Sequence, residues 1–263
     1  MNLDLLFDPL FRVPFLTGLL LAGLLPLIGM YLRLRGEWLA ALALAQMASA
    51  GALLAMVLGW PMLVGGALAA LLASLAKGFA AAAGANAYAL MMLLAWGAGV
   101  LLVANHPLAE QAGHALFDGQ LYFTGDGHLL AVTLICGAAL PVLARLNRPL
   151  LLARFFPEFH QARGMDARPG LMLFDLVASA VIALATVSIG VMAAFALVFV
   201  PPLLAYRFGR SWRAGLGLAA VIGTAGYTAA FAISLAFDQP FGPICAVLLV
   251  VIFLVSGVKS DRM

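Results

Sequence analysis

Long apolar runs separated by short polar gaps repeat along the whole chain. Stretches such as LLLAGLLPLIGMYL (19–32) and CAVLLVVIFLVSG (245–257) are apolar on every helical face. A run of about 20 apolar residues is long enough to cross the ~30 Å hydrocarbon core of a bilayer as a helix. With Gly, Pro and charged residues taken as boundaries, the pattern predicts spans near 14–32, 38–58, 61–76, 86–104, 128–145, 171–189, 191–206, 214–236 and 243–258.

Composition supports a membrane protein. Of the 263 residues, 65% are hydrophobic and 10% are charged, which is too apolar for one soluble core. The runs lack the alternating polar positions of a transmembrane β-barrel. We therefore predict an all-α, polytopic transmembrane helical bundle of about eight to nine spans, with residues 1–263 forming a single domain. The 171–206 region is short for two crossings, so a re-entrant or broken helix is an alternative there.

Lys and Arg predict the orientation of the bundle. They cluster in every second gap, at Arg33, Arg35, Lys77, Arg145, Arg148, Arg154, Arg163, Arg168, Arg207, Arg210, Arg213, Lys259 and Arg262. The other gaps between spans, including the long one from Asn105 to Gly127, contain neither residue. By the positive-inside rule the basic gaps and the C-terminus are cytoplasmic, and the N-terminus lies outside.

Several function classes are disfavoured. The net charge of +3 is small and spread along the chain, so it indicates topology rather than nucleic-acid binding. The N-terminal segment lacks the features of a cleavable signal peptide. Cys136 and Cys245 lie far apart inside apolar runs and are interpreted as buried small side chains.

One cytoplasmic segment, FFPEFHQARGMDARPG (155–170), is unusually polar for this chain. Pro157 suits the first turn of a short helix and Gly164 suits its end. The aromatic side chains would cover an apolar groove while the charged ones face water, which predicts a short helix over 156–163 along the membrane surface. Such a helix either docks a cytosolic partner or is held only by lipid.

Several motifs resemble the permease subunits of the zinc, manganese and iron type of ABC importer. In that family the long cytoplasmic loop reads roughly Asp-Pro-Glu-(Phe/x)-Ala-x-Ala-x-Gly-(Ile/Met), and PEFHQARGM (157–165) is similar. The stretches LFDGQLYFTGD (116–126), SIGVMAAFALVFVPPLLAYRF (188–208) and FDQPFGPICAV (237–247) resemble further family segments in the same order. Together they cover most of the chain.

This resemblance implies that the 147–170 loop carries a coupling helix, the segment through which a cytosolic ABC ATPase drives the membrane subunit. The implied coupling residues are Phe156, Pro157, Glu158, Phe159, Ala162, Arg163 and Gly164. The chain itself contains no G-x-x-x-x-G-K-[ST] motif, so ATP hydrolysis is expected from a separate subunit.

Further partners follow from the same resemblance: a second permease copy or relative, an extracytoplasmic solute-binding protein and membrane lipid, with no nucleic acid. The implied location is a bacterial-type inner membrane. The chain is expected to bind no cofactor, and its transported cargo is expected to be a divalent metal ion.

The second span departs from the family. There the family carries Asp-Ala-Leu-Ser-His-Ala-x-x-x-Gly, with a carboxylate and an imidazole one helical turn apart, whereas this chain has LALAQMASAG (42–51). Leu42 stands at the Asp position and Gln46 at the His position. Gln46 and Met47 remain pathway candidates, and the metal ligands are unknown. The cargo either crosses without firm coordination, meets ligands from a sister permease, or is not a metal.

Other polar residues have competing interpretations. Asp175 lies inside a predicted span, where burying a carboxylate is energetically costly. It is either a structural residue, bonded to a neighbouring backbone group or to Arg168, or a residue of the substrate pathway. Lys77 and Asn86 are interpreted as interfacial anchors. The external residues His106, His114, His128, Glu110, Asp118 and Asp126 are either solvated loop residues or contacts for a delivery protein or a metal.

The leading hypothesis is a permease that imports a divalent metal, zinc before manganese or iron. The alternatives are a permease-fold protein for a non-metal cargo and a scaffold that has lost its substrate site. A secondary transporter would need more buried charges in mid-span than Asp175 alone.

Overall fold

The protein is helical throughout the part that its computed structural model describes, residues 9–79, 85–119, 125–156, 158 and 168–260. In chain order the helices are α1 (Pro9–Arg35), α2 (Trp38–Val57), α3 (Met62–Phe79), α4 (Ala85–Asn105), α5 (Pro107–Asp118), α6 (Asp126–Phe155), α7 (Arg168–Ile189), α8 (Val191–Phe208), α9 (Trp212–Phe237) and α10 (Phe241–Ser260). The prediction of an all-α bundle is confirmed.

The number of candidate spans is lower than the eight to nine predicted. Within the described residues, seven helices are long and apolar enough to cross a membrane: Phe11–Arg35, Trp38–Val57, Asn86–Asn105, Asp126–Phe155, Arg168–Ile189, Val191–Phe208 and Trp212–Phe237. The two other predicted spans correspond to the shorter apolar helices Met62–Lys77 and Phe241–Gly257. Hydropathy located these helices, and the predicted spans 61–76 and 243–258 are slightly shorter than the helices Met62–Phe79 and Phe241–Ser260.

Close helix contacts depend on small residues. At Gly51 of α2, an added Cβ would lie 2.6 Å from the carbonyl oxygen of Gly65 on α3, and a Cβ at Gly65 would meet the carbonyl oxygen of Gly51 in return. Ala55 and Ala69, one turn further along, complete the same contact. This reciprocal arrangement is the small-xxx-small packing that lets membrane helices approach closely.

A single glycine separates α7 from α8. Gly190 has φ 87° and ψ 160°, a conformation that L side chains rarely adopt, so glycine is required for the break. The two spans predicted at 171–189 and 191–206 therefore correspond to two distinct helices, α7 and α8, and not to the alternative of one broken helix. The C-terminal end of α5 packs on this break, because a Cβ at Gly119 would lie 2.6 Å from the carbonyl oxygen of Ile189.

Helix α5 was not predicted. The gap from Asn105 to Gly127 was interpreted as an external loop, yet residues Pro107–Asp118 form a helix of 12 residues. Pro107 occupies its first turn and Gly119, in the left-handed conformation, ends it. Ala109, Ala112 and Leu116 face the bundle and are buried, which explains why so short a helix is stable.

Helix α6 extends further than the fifth predicted span. It contains 30 residues, about 45 Å of helix, and continues to Phe155. Asn147 anchors the extension, since its Oδ1 accepts hydrogen bonds from Tyr31 Oη (3.0 Å) and Trp212 Nε1 (2.7 Å). The 147–170 segment is thus partly helix α6, and Phe156 is its C-cap rather than the start of a new helix.

Candidate functional site

Four charged side chains meet at the predicted cytoplasmic end of the bundle. Arg35 Nη1 lies 2.6 Å from Asp175 Oδ1, and Arg35 Nη2 lies 3.0 Å from Glu37 Oε2. Lys77 Nζ lies 2.7 Å from Glu37 Oε2 and 3.1 Å from Asp175 Oδ2. Each cation therefore contacts both carboxylates, and the formal charges sum to zero. We call these four residues the charge cluster.

The helix ends favour these charges. Arg35 lies in the last turn of α1 and Lys77 in the last turn of α3, where the helix dipole stabilises cations. Glu37 is the N-cap residue of α2, where the dipole stabilises an anion. Asp175 comes from α7. The cluster therefore connects the N-terminal end of α2 to α1, α3 and α7.

Aromatic rings support the charge cluster. Tyr88 of α4 donates a hydrogen bond to Glu37 Oε2 at 3.3 Å, and its ring centroid lies 5.4 Å from Lys77 Nζ. The Arg35 guanidinium lies 5.2 Å from the centroid of the Phe174 ring. The charged side chains are only 11–23% exposed. Mutual pairing is therefore what makes these charges tolerable at the end of an apolar bundle.

Asp175 is the one member of this cluster that the sequence pattern marked as a candidate site residue. Asp175 was identified as an unusual intramembrane acid, but its ion-pair partners Arg35 and Lys77 were interpreted as a topology signal and an interfacial anchor. Glu37 and Tyr88 were missed. A usable signal existed: in a chain with 10% charged residues, opposite charges recur at the same predicted end of several spans.

The predicted pathway residue Gln46 is buried, with 6% of its surface exposed. Leu42 lies one turn before it and is half-buried, and Ser49 lies nearly one turn after it on the same helical face. The buried Oγ of Ser49 has no hydrogen-bond partner in the described part of the chain. Sequence reasoning missed Ser49.

Unpaired polar groups in an apolar interior are uncommon and costly. Gln46 and Ser49 together therefore give this face of α2 a neutral polar strip in an otherwise apolar helix. The oxygens of this strip belong to an amide and a hydroxyl, so the strip carries no charged ligand.

Met47 faces a different direction. It lines an apolar groove of about 540 Å³ between α2, α3 and α4, together with residues that include Gly51, Leu94 and Ala98. Successive helical positions differ by about 100° in direction, so Met47 and Gln46 belong to different faces of α2. The structure thus does not bring the three pathway candidates Gln46, Met47 and Asp175 together.

Much of the predicted coupling segment lies outside the described residues. Pro157, Phe159, Ala162, Arg163 and Gly164 belong to that part, and so does His160. Phe156 and Glu158 are described, and both are exposed. The coupling helix itself stays a prediction.

No convergent metal centre is found in the described part of the chain, where no three His, Cys, Asp or Glu side chains lie close enough to hold an ion. Cys136 and Cys245 are free and buried, which agrees with their interpretation as small packing residues.

Solved structures share this architecture. One match is a structure of PsaBC from Streptococcus pneumoniae in complex with Fab, with a TM-score of 0.84 and 20% identity. The aligned region covers 96% of this chain and 93% of the matched chain. A structure described as an inward-facing metal-chelate type ABC transporter matches over 97% of this chain and 88% of that one, at a TM-score of 0.75 and 16% identity. At these identities the likeness concerns the fold.

Sequence comparison gives the family. The chain is 26% identical over 252 residues to the manganese transport system membrane protein MntC of Halalkalibacterium halodurans. The aligned region covers 92% of this chain and 86% of that protein. The model of the ABC 3 transport family matches residues 8–260, nearly the whole sequence. The chain therefore belongs to the ABC 3 transport family.

Proposed function

We propose that this chain is the membrane-spanning permease subunit of an ATP-driven importer for a divalent metal ion. The observation that carries the proposal is the family match over residues 8–260, together with the manganese transport protein MntC as a relative. As a family member, the chain is a transport component rather than an enzyme. In our proposal its location is the inner membrane of a bacterium.

The partners of this permease are part of the proposal. A cytosolic ATPase would bind near Phe156 and Glu158, whose exposure is compatible with docking. A second permease copy or relative would complete the pathway, and an extracytoplasmic solute-binding protein would deliver the cargo. The sequence favoured zinc, whereas the relative is a manganese transporter, so the proposal covers both ions.

The cellular metal content tests this function. A strain that lacks the gene, grown under chelation, is expected to contain less of one divalent metal, because import through the permease is lost. Total zinc, manganese and iron are measured by mass spectrometry in the strain with and without the gene. Restoration by the gene identifies the cargo, and unchanged contents of all three metals would contradict metal import.

A non-metal cargo is the second candidate function. The observation that favours it is the neutral strip of Gln46 and Ser49, where an imidazole and a carboxylate would suit a metal better. Leu42 and Gln46 occupy the two positions at which the family's ligands are expected.

Leu42→Asp combined with Gln46→His tests the role of this face. The pair places a carboxylate and an imidazole four residues apart on α2, so we expect binding of Zn²⁺ or Mn²⁺ to the purified protein to tighten at least about tenfold. Equilibrium dialysis measures the affinity. The matched control is Leu42→Asn combined with Gln46→Asn, which changes the same two positions without introducing a carboxylate or an imidazole. Equal affinity in wild type and the first variant would contradict a metal-facing role for Leu42 and Gln46.

A further inference from the structure

A continuous set of side-chain contacts joins the end of α6 to the charge cluster. It begins at Asn147 of α6, whose Oδ1 accepts hydrogen bonds from Tyr31 of α1 at 3.0 Å and from Trp212 of α9 at 2.7 Å. The rings of Tyr31 and Trp212 also pack edge to face, with their centroids 5.4 Å apart. Three helices therefore meet at one amide oxygen, about two turns before α6 ends at Phe155.

Phe174 of α7 continues these contacts. Its ring packs edge to face on Tyr31, with the centroids 5.8 Å apart, and the Arg35 guanidinium lies 5.2 Å from the centroid of the same ring. Tyr31 and Arg35 are four residues apart on α1, so Phe174 contacts two successive turns of that helix. Phe174 is fully buried and Tyr31 is 3% exposed. Rings packed this closely cannot shift without displacing their neighbours.

The same turn of α7 belongs to the charge cluster, because Asp175 follows Phe174 directly in the chain. Arg35 Nη1 donates to Asp175 Oδ1 at 2.6 Å, and Arg35 Nη2 lies 3.0 Å from Glu37 Oε2. Glu37 is the N-cap residue of α2, the helix that carries the neutral polar strip. The contacts thus run without a gap from the end of α6 to the start of α2.

We propose that a relay of four side chains transmits displacements between the end of α6 and the start of α2: Asn147, Tyr31, Phe174 and Arg35. As a step of transport, the relay rests on the proposed function, because the predicted coupling segment begins where α6 ends. An ATPase that moves this end of α6 would shift Asn147, and the packed rings would pass the shift to Arg35 and Glu37. The four are positioning residues, and coupling of this kind travels through contiguous contacts.

Trp212 reports on the relay in the purified permease alone. The chain has four tryptophans, and the other three, Trp38, Trp60 and Trp96, are exposed. Replacing those three by Phe leaves Trp212 as the single fluorophore. Quenching of its fluorescence by acrylamide measures how freely its ring is reached. Asn147→Leu removes the hydrogen-bond acceptor of Trp212 and sets the full size of the response.

Asp175→Asn loosens Arg35 at the far end of the relay. We expect the quenching constant of Trp212 to change at least about twofold, which is the lower end of the coupling between residues of one network. Glu37→Gln loosens Arg35 from its other carboxylate and should act in the same direction, even if Asp175→Asn fails to fold. Gly51→Ala disturbs the contact of α2 with α3, outside the relay, so this control for general loss of stability should leave the constant unchanged.

Phe174→Leu interrupts the relay in the middle and gives the decisive comparison. In this background Asp175→Asn should no longer change the quenching of Trp212, because the ring that joins Arg35 to Tyr31 is missing. An undiminished effect in the Phe174→Leu background would overturn the relay. The same conclusion would follow if both carboxylate variants were quenched like the wild type, or if Gly51→Ala had an equal effect. Since neither ATP hydrolysis nor transport is measured, failure of the relay leaves the proposed import function untouched.

Discussion

Replacing Asp175 by Asn is expected to lower the free energy of unfolding by about 2–3 kcal/mol. Arg35 and Lys77 would then share one carboxylate, and part of their charge would be left unpaired at the end of an apolar bundle. Breaking a fully buried ion pair costs about 3–5 kcal/mol, and the partial exposure of this cluster places the effect below that range. Denaturant unfolding of the purified protein in detergent, followed by tryptophan fluorescence, measures the change.

Asp126→Asn is the matched control for this experiment. Asp126 is an exposed carboxylate in the first turn of α6, and its replacement should lower stability by at most about 1 kcal/mol, the size of an exposed helix-dipole interaction. Equal stability of Asp175→Asn and wild type would show that the charge cluster is not a structural element.

A double-mutant cycle measures the interaction energy between Glu37 and Lys77 within the charge cluster. Glu37→Gln and Lys77→Met each leave an unmatched charge, whereas the double variant removes one anion and one cation together. The two effects should therefore be non-additive, with a coupling of about 0.5–3 kcal/mol. Strict additivity would mean that the 2.7 Å contact between these residues contributes little.

Gly29→Ala is expected to destabilise the bundle by about 2 kcal/mol or more. An added Cβ would lie 2.7 Å from Pro202 Cγ and would overlap the carbonyl oxygen of Val198 on α8. Because that oxygen belongs to a helix backbone, relief requires α1 and α8 to move apart, and overpacking of this kind costs about 1–3 kcal/mol or more. The same unfolding experiment gives the change in stability.

Two other helical glycines provide controls of identical chemistry. A Cβ at Gly97 of α4 or at Gly137 of α6 meets no heavy atom within 4 Å. Gly97→Ala and Gly137→Ala should therefore be neutral or slightly stabilising, since Ala is the better helix former. If all three Gly→Ala variants behaved alike, the close contact between α1 and α8 would be disproved.

The sequence predicted the helical bundle because hydropathy alone determines which segments enter a bilayer. It did not predict α5, because Ala109, Ala112 and Leu116 form an apolar face on a segment too short and too polar to register as a span. The length of α6 was missed for a related reason. Arg145, Arg148 and Arg154 marked a membrane boundary, but a helix continues past such a boundary when its far end is anchored, here through Asn147.

Candidate site residues were harder to predict than the helices. Sequence identified Asp175 as costly, but its partners lie 98 and 140 residues away and become visible only when α1, α3 and α7 are packed together. The two faces of α2 show the same difficulty. Gln46 and Met47 are adjacent in sequence, yet one joins a buried polar strip and the other lines the groove.

The charge cluster also has a consequence for the order of assembly during synthesis. Arg35, Glu37 and Lys77 enter the membrane with α1 to α3, and the three together carry one excess positive charge. An excess positive charge agrees with the cytoplasmic location that the positive-inside rule predicts for these helix ends. The charge cluster becomes neutral only when Asp175, which lies 140 residues after Arg35 in the chain, has been added. The ion pairs of the N-terminal helices are thus completed only by a carboxylate from the C-terminal half of the chain, which places this contact late in the order of synthesis.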